Sequence, residues 1–157
     1  MTELLIETCI DAPPAVCFDI ARDVDFHARS MESTGEQVVR RPANGLLELG
    51  DEVEFRGRYF GLWLRMSSKI TRYERPDRFR DEMVKGPFRF FRHDHHFESA
   101  QGGCLMIDSV AFEAPYGVLG RVAERTAVRI RLSNVLTERA AAIRAEAEVQ
   151  ASRPQTR

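Results

Sequence analysis

The run Arg92-His93-Asp94-His95-His96 gathers three of the chain's four histidines into four positions. Imidazole titrates near neutral pH, can hydrogen-bond at both nitrogens and ligates metals. If the run is a strand, alternation puts His93 and His95 on one face with Phe91 and Phe97, and Asp94 and His96 on the other. The face carrying two aromatics is the one expected to turn inward. Beyond the Gln101-Gly102-Gly103 turn, Asp108 shares a face with Met106, Val110 and Phe112. A short hairpin brings Asp108 near His93 or His95, with the register left open.

Three roles fit these residues. In the structural one, each histidine hydrogen-bonds to Asp108 or another buried polar group. In the second, the histidines and Asp108 orient the polar end of a ligand. In the third they do chemistry: an Asp-bound His95 acts as general base, because the carboxylate fixes the imidazole tautomer and raises its pKa, with His93 as the neighbouring candidate. An H-x-H strand with an acidic third ligand also fits zinc. No second motif accompanies it, so neither a metal nor a cofactor is expected. G-x-S-x-G, a P-loop, G-x-G-x-x-G and zinc-finger spacing are all absent from the sequence, which weighs against covalent catalysis.

Tyr59, Trp63, Phe91, Phe97 and Phe112 are the aromatic candidates for an apolar pocket lining, with Thr126 joining them from a C-terminal helix. The Tyr59 and Tyr116 hydroxyls are suited to holding a ligand carbonyl. Arg121, Arg125 and Arg129 recur every four residues and read as a solvated helix face, or else as an anion or partner surface.

The elements that must position these groups are readable. Residues 3–11 alternate as a strand. Pro13 and Pro14 then suit the first turn of a helix, followed by Val16, Cys17, Ile20 and Ala21 at helical spacing. A second short helix is expected over 25–31. From 37 to 115 the period is two, with strands expected at 37–41, 51–59, 62–73, 78–85, 88–98 and 104–113 and turns rich in Gly, Pro, Asn and Asp between them. Residues 119–147 lack Gly and Pro after Gly120 and are rich in Ala, Arg, Leu and Glu, predicting a helix about 40 Å long. Its inward stripe is expected through Leu119, Val122, Ala123, Thr126, Ile130, Ser133, Leu136, Ala140 and Ile143.

This gives an α+β domain over 1–147: a curved antiparallel sheet of about seven strands around a long C-terminal helix, with two short helices after the first strand. A polar tail over 148–157 is expected to fray. With 157 residues and a net charge of −1, one core suffices and no global field draws nucleic acid or a membrane. Cys9, Cys17 and Cys104 are odd in number and lack C-x-x-C spacing, so reduced thiols are expected. With neither a signal peptide nor a 20-residue apolar span expected, the expected location is cytoplasmic, as a monomer or homodimer.

The element order resembles the helix-grip fold of the SRPBCC superfamily, which includes START domains, Bet v 1-like proteins and polyketide cyclases. The opening TCIDAPPAVCFDIARDVDFH, the stretch FRFFRHDHHFE and the segment MIDSVAFEAPYGVLG carry the likeness over residues 3–145. The last two resemble a bacterial ligand-binding branch sometimes labelled cell-division-inhibitor-like. The resemblance implies a small hydrophobic or aromatic ligand held between sheet and helix. Its alternatives are a cyclase or dehydratase using a His–Asp pair, or a regulatory module contacting a partner through the basic helix face.

Overall fold

Period-two alternation from residue 37 onward builds a meander, and the N-terminal strand closes it. A computed structural model describes residues 1–31, 33–115, 117, 120, 122 and 124–153. Its elements are β1 (Thr2–Ile10), α1 (Pro14–Ala21), α2 (Val24–Ser30), β2 (Gln37–Arg40), β3 (Glu52–Tyr59), β4 (Leu62–Glu74), β5 (Arg78–Lys85), β6 (Phe90–Ala100), β7 (Gly103–Glu113), a π-helical turn (Glu124–Val128) and α3 (Arg129–Ser152). The seven strands form one antiparallel sheet in the order β1-β7-β6-β5-β4-β3-β2. Consecutive hairpins give the run from β2 to β7, and β1 pairs with β7.

The short helices start where local chemistry permits. Pro14 at the head of α1 costs no hydrogen bond, because that N–H would have no helical partner. Asp23 caps α2, its carboxylate accepting from the Phe26 N–H at 2.9 Å. Val135, Leu136, Ala140, Ile143 and Ala147 form the buried stripe of α3, which packs against β1 and α1.

The sheet's inner face is filled unevenly. At one end, Phe18 of α1 meets Tyr73, Phe79 and Phe97 edge-on at 5.3, 5.3 and 5.5 Å between ring centres. Leu4, Phe91, Val110, Phe112 and Leu136 make a second cluster. The space between helix and sheet beyond these clusters is not filled by side chains.

Two expectations change. The stripe expected through Thr126 and Ile130 turns outward, and both residues are exposed. The π-helical turn fits an extra residue into the coil, and each helical residue turns the face by roughly 100°. The inward positions after it are therefore Leu132, Val135 and Leu136. Val122 is exposed as well, while Leu119 and Ala123 lie outside the described residues, as do Arg121 and Tyr116. The second change is at the C-terminus, where the segment expected to fray from Glu148 stays helical to Ser152. Glu148 accepts from Arg144 Nε at 3.0 Å and from the Asp11 N–H at 3.2 Å, which ties that turn to the β1–α1 connection. Residues 154–157 lie outside the described residues. The three cysteines are free, with Cys17 and Cys104 buried and Cys9 exposed.

Candidate functional site

A cavity of about 260 Å³ lies between the inner sheet face, α2 and α3. Strand alternation supplies its sheet wall: Val53, Phe55, Gly57 and Tyr59 from β3, Leu64, Met66 and Ser68 from β4, Phe79 and Asp81 from β5, and Phe91 and His93 from β6. The helices contribute Val24 and His27 from α2 and Arg131, Leu132, Val135, Leu136 and Arg139 from α3. The exposed Phe60 of the β3–β4 turn also borders it. The wall is mostly hydrocarbon, and several of its polar groups are gathered into two clusters.

The first cluster spans three neighbouring strands. Register puts Asp81 opposite His93 and Asp108 opposite His95. His93 Nε2 lies 2.9 Å from Asp108 Oδ1, and His93 Nδ1 lies 3.9 Å from Asp81 Oδ2. His95 Nε2 lies 3.3 Å from Asp81 Oδ2, while its Nδ1 is 2.8 Å from Asp108 Oδ1 without a directed hydrogen bond. His95 is fully buried, sandwiched between the Phe79 ring at 4.1 Å and the His93 ring at 3.8 Å.

Protonation follows from these contacts. Burial alone would raise the Asp108 carboxyl, but the two imidazoles outweigh it and hold the group well below the carboxylate range. Asp81 is lowered too, as its bond to His95 and the nearby positive charges overcome burial. Burial pushes the His95 imidazolium down, yet the carboxylates of Asp108 and Asp81 hold it above the ordinary histidine value. Its two nitrogens face two carboxylate oxygens, Asp108 Oδ1 and Asp81 Oδ2. His93 goes the other way, because burial and the neighbouring His95 charge keep it neutral. Its proton sits on Nε2 facing Asp108, leaving Nδ1 bare.

The second cluster is His27, Glu36 and Tyr59. His27 stacks on Phe55 at 4.4 Å, and its Nε2 lies 2.7 Å from Glu36 Oε2. The Tyr59 hydroxyl donates to Glu36 Oε1 at 2.5 Å. Burial and the Arg139 charge lower the His27 pKa, and burial beside the Glu36 carboxylate raises that of Tyr59. Arg139 acts on both clusters, its guanidinium donating to the Ala21 carbonyl at 2.9 Å.

Of the residues singled out in the sequence, Tyr59, Phe91 and His93 border the cavity. His95 and Asp108 belong to the same cluster but sit behind His93. Phe97 and Phe112 are core residues on the inner face, away from the cavity wall, because α1 and the second core cluster fill those ends of the sheet. Trp63 is on the opposite face of β4 from Leu64, exposed, with the Arg56 guanidinium 5.0 Å from its ring centre. Thr126 is also exposed, its hydroxyl donating to the Val122 carbonyl at 2.8 Å. Arg131 and Arg139, which the sequence groups with the basic helix face and for which a guanidinium leaning into the cavity was one option, border the cavity, whereas Asp81 and Glu36 were given no role there. Asp81 had left a signal, being a charged residue between Phe79 and Met83 on an otherwise apolar face. Glu36, just before β2, left none.

Among the described residues, no helix is long and apolar enough to cross a membrane. No curated protein matches the sequence. The structure is similar to TTHA0849 from Thermus thermophilus, with a TM-score of 0.73 at 16% identity over 92% of this chain and 99% of that one. It is also similar to Ara h 8.0201, with a TM-score of 0.64 at 15% identity over 90% and 97% of the two chains. Ginseng major latex-like protein 151 from Panax ginseng gives a TM-score of 0.64 at 13% identity over 93% and 97%. At these identities the likeness is one of fold, a curved sheet gripping a long helix. The sequence itself matches a family over residues 10–150, and the chain belongs to that family, polyketide cyclase/dehydrase and lipid transport, within the SRPBCC superfamily.

Proposed function

We propose that the chain binds a small apolar or aromatic molecule whose polar end points toward Asp81, His93 and Arg139. The observation that carries this reading is the 260 Å³ cavity, hydrocarbon over most of its wall, with its polar groups concentrated at a few points. That volume lies just under the roughly 300–1,000 Å³ common for ligand pockets, so the occupant is compact, an aromatic or short-chain molecule. Burial of its apolar surface drives binding at roughly 25 cal/mol per Å². Native mass spectrometry of freshly purified protein, followed by denaturing extraction, tests the reading. A near-stoichiometric apolar molecule is expected. A bare protein that also fails to take up a fluorescent apolar dye would refute it.

A cyclase- or dehydratase-like activity is the second reading, favoured by the bare Nδ1 of His93. With His95 buried behind it, His93 or Asp81 becomes the proton-accepting group and His95 with Asp108 the positioning pair. His93→Gln should then abolish turnover of a bound carbonyl substrate while ligand affinity stays within a few-fold.

A further inference from the structure

We propose that Asp81, His93 and His95 form a binding site for a divalent transition-metal cation of the zinc type, backed by Asp108. Each of the three offers one donor atom, and the three atoms lie within 4.8 Å of one another. A tetrahedral ion with bonds near 2.0–2.1 Å needs donors roughly 3.3–3.4 Å apart. His95 Nε2 and Asp81 Oδ2 are already at 3.3 Å, and His93 Nδ1 is 3.9 Å from the same oxygen. Closing the site asks His93 to move toward Asp81, with the separation of the two imidazole donors, within 4.8 Å, closing as well.

Asp108 supports this arrangement from behind. By accepting the Nε2 proton of His93 at 2.9 Å it leaves Nδ1 as the free donor, and it lies 2.8 Å from Nδ1 of His95, whose Nε2 is the other donor. Carboxylates commonly orient metal-bound imidazoles in this way. All four residues stand on adjacent strands in register, so the geometry is carried by sheet hydrogen bonds. Charge points the same way. Two carboxylates, Asp81 and Asp108, face the two imidazoles, and a divalent ion would offset both charges. Two imidazoles and one carboxylate suit zinc, cobalt or nickel, whereas calcium and magnesium prefer all-oxygen sites. Asp81 and His93 border the cavity, so a fourth ligand could reach the ion from it. The proposal does not depend on what else the cavity holds.

The test is calorimetric titration of chelator-treated protein with zinc sulfate near neutral pH. One ion per chain is expected, at micromolar affinity or tighter. Asp81→Asn and His93→Gln should each weaken binding by at least roughly 100-fold and Asp108→Asn by about 10–100-fold, with His96→Gln on the outer face unchanged. No saturable binding by the wild type, or unchanged binding in Asp81→Asn and His93→Gln, overturns the proposal. If those variants fail to fold by circular dichroism, X-ray absorption of the zinc-loaded wild type decides. Two imidazole nitrogens with oxygen donors support the site, and sulfur or a single imidazole overturns it.

Discussion

Asp108→Asn isolates the charge at the centre of the cluster without changing its volume. Asp108 is 4% exposed, with His93 Nε2 at 2.9 Å and His95 Nδ1 at 2.8 Å. The amide removes one of the two carboxylates that face His95, the one that also faces His93, and leaves Asp81 to face the imidazole. Removing one partner of a buried pair costs about 3–5 kcal/mol, out of the roughly 5–15 kcal/mol that holds a domain folded. At about 3 °C per kcal/mol for a chain of this length, the melting temperature falls by roughly 10 °C. Urea unfolding followed by far-UV circular dichroism is the suitable readout, because the single tryptophan, Trp63, is exposed and insensitive to the core. The pH dependence has a definite sign. The folded Asp108 carboxyl is held below its ordinary value, so its contribution is present above the unfolded pKa near ~3.9 and is lost as pH falls from there. His95 is held above its ordinary value, so its contribution is complete below about pH 6.5 and is lost as pH rises through the folded value. The gap between wild type and variant is therefore widest between about pH 5 and 6.5. A loss under about 1 kcal/mol at pH 6, or a gap that widens on acidification below pH 4, would refute the assignment of an ionised Asp108 bridging two imidazoles.

Three further outcomes follow from geometry. Val135→Trp pushes an indole into the 260 Å³ cavity and should weaken apolar-dye binding at least ~10-fold, read by fluorescence titration, while the circular dichroism spectrum stays native. Trp63→Ala should leave dye affinity unchanged and cost under about 1 kcal/mol by urea unfolding, since it removes a stacking contact with Arg56 on the outer sheet face. Gly103→Ala would put a Cβ 2.1 Å from the Ile10 carbonyl oxygen, which is backbone and cannot step aside cheaply, so the β1–β7 end should open at a cost of about 1–3 kcal/mol by urea unfolding.

The fold was legible because each element obeys its local rule. Alternation set the strand faces, the turns carry Gly, Pro, Asn or Asp, and the long helix has no breaker. Depth along a strand was not legible. His95, Phe97, Asp108 and Phe112 all lie on the inner face as alternation requires, but which of them meets the cavity depends on where α1 and α3 press against the sheet. Thr126 failed for another reason: the π-helical turn rotates the helix surface between Glu124 and Val128, and helical periodicity assumes a constant 100° per residue. Trp63 was set apart from its own strand pattern, since Leu64 beside it points inward and neighbours on a strand point to opposite sides. Asp81 needed the register of β5 on β6, which no local pattern supplies.

The cluster also constrains what can occupy the cavity. A container for hydrocarbon alone would be at least as stable with Leu or Phe at positions 81, 93, 95 and 108, because replacing a buried ion network with packed apolar groups is often neutral or stabilising. Packing energetics therefore do not account for the cluster, which is what the proposed chemical roles require. A wholly apolar occupant would strip water from the Asp81 carboxylate and the Arg139 guanidinium, both on the cavity wall, and return nothing for that cost. An occupant that donates a hydrogen bond to Asp81 or His93 Nδ1, or that offers an oxygen to an ion held there, meets the same groups without that cost. Discrimination between the two is large where a site's polar groups would otherwise be left unpaired, far larger than a methylene more or less in the apolar part. Under the proposed binding role, the hydrocarbon wall would set how tightly a molecule is held, and the Asp81–His93 edge would set which molecules qualify.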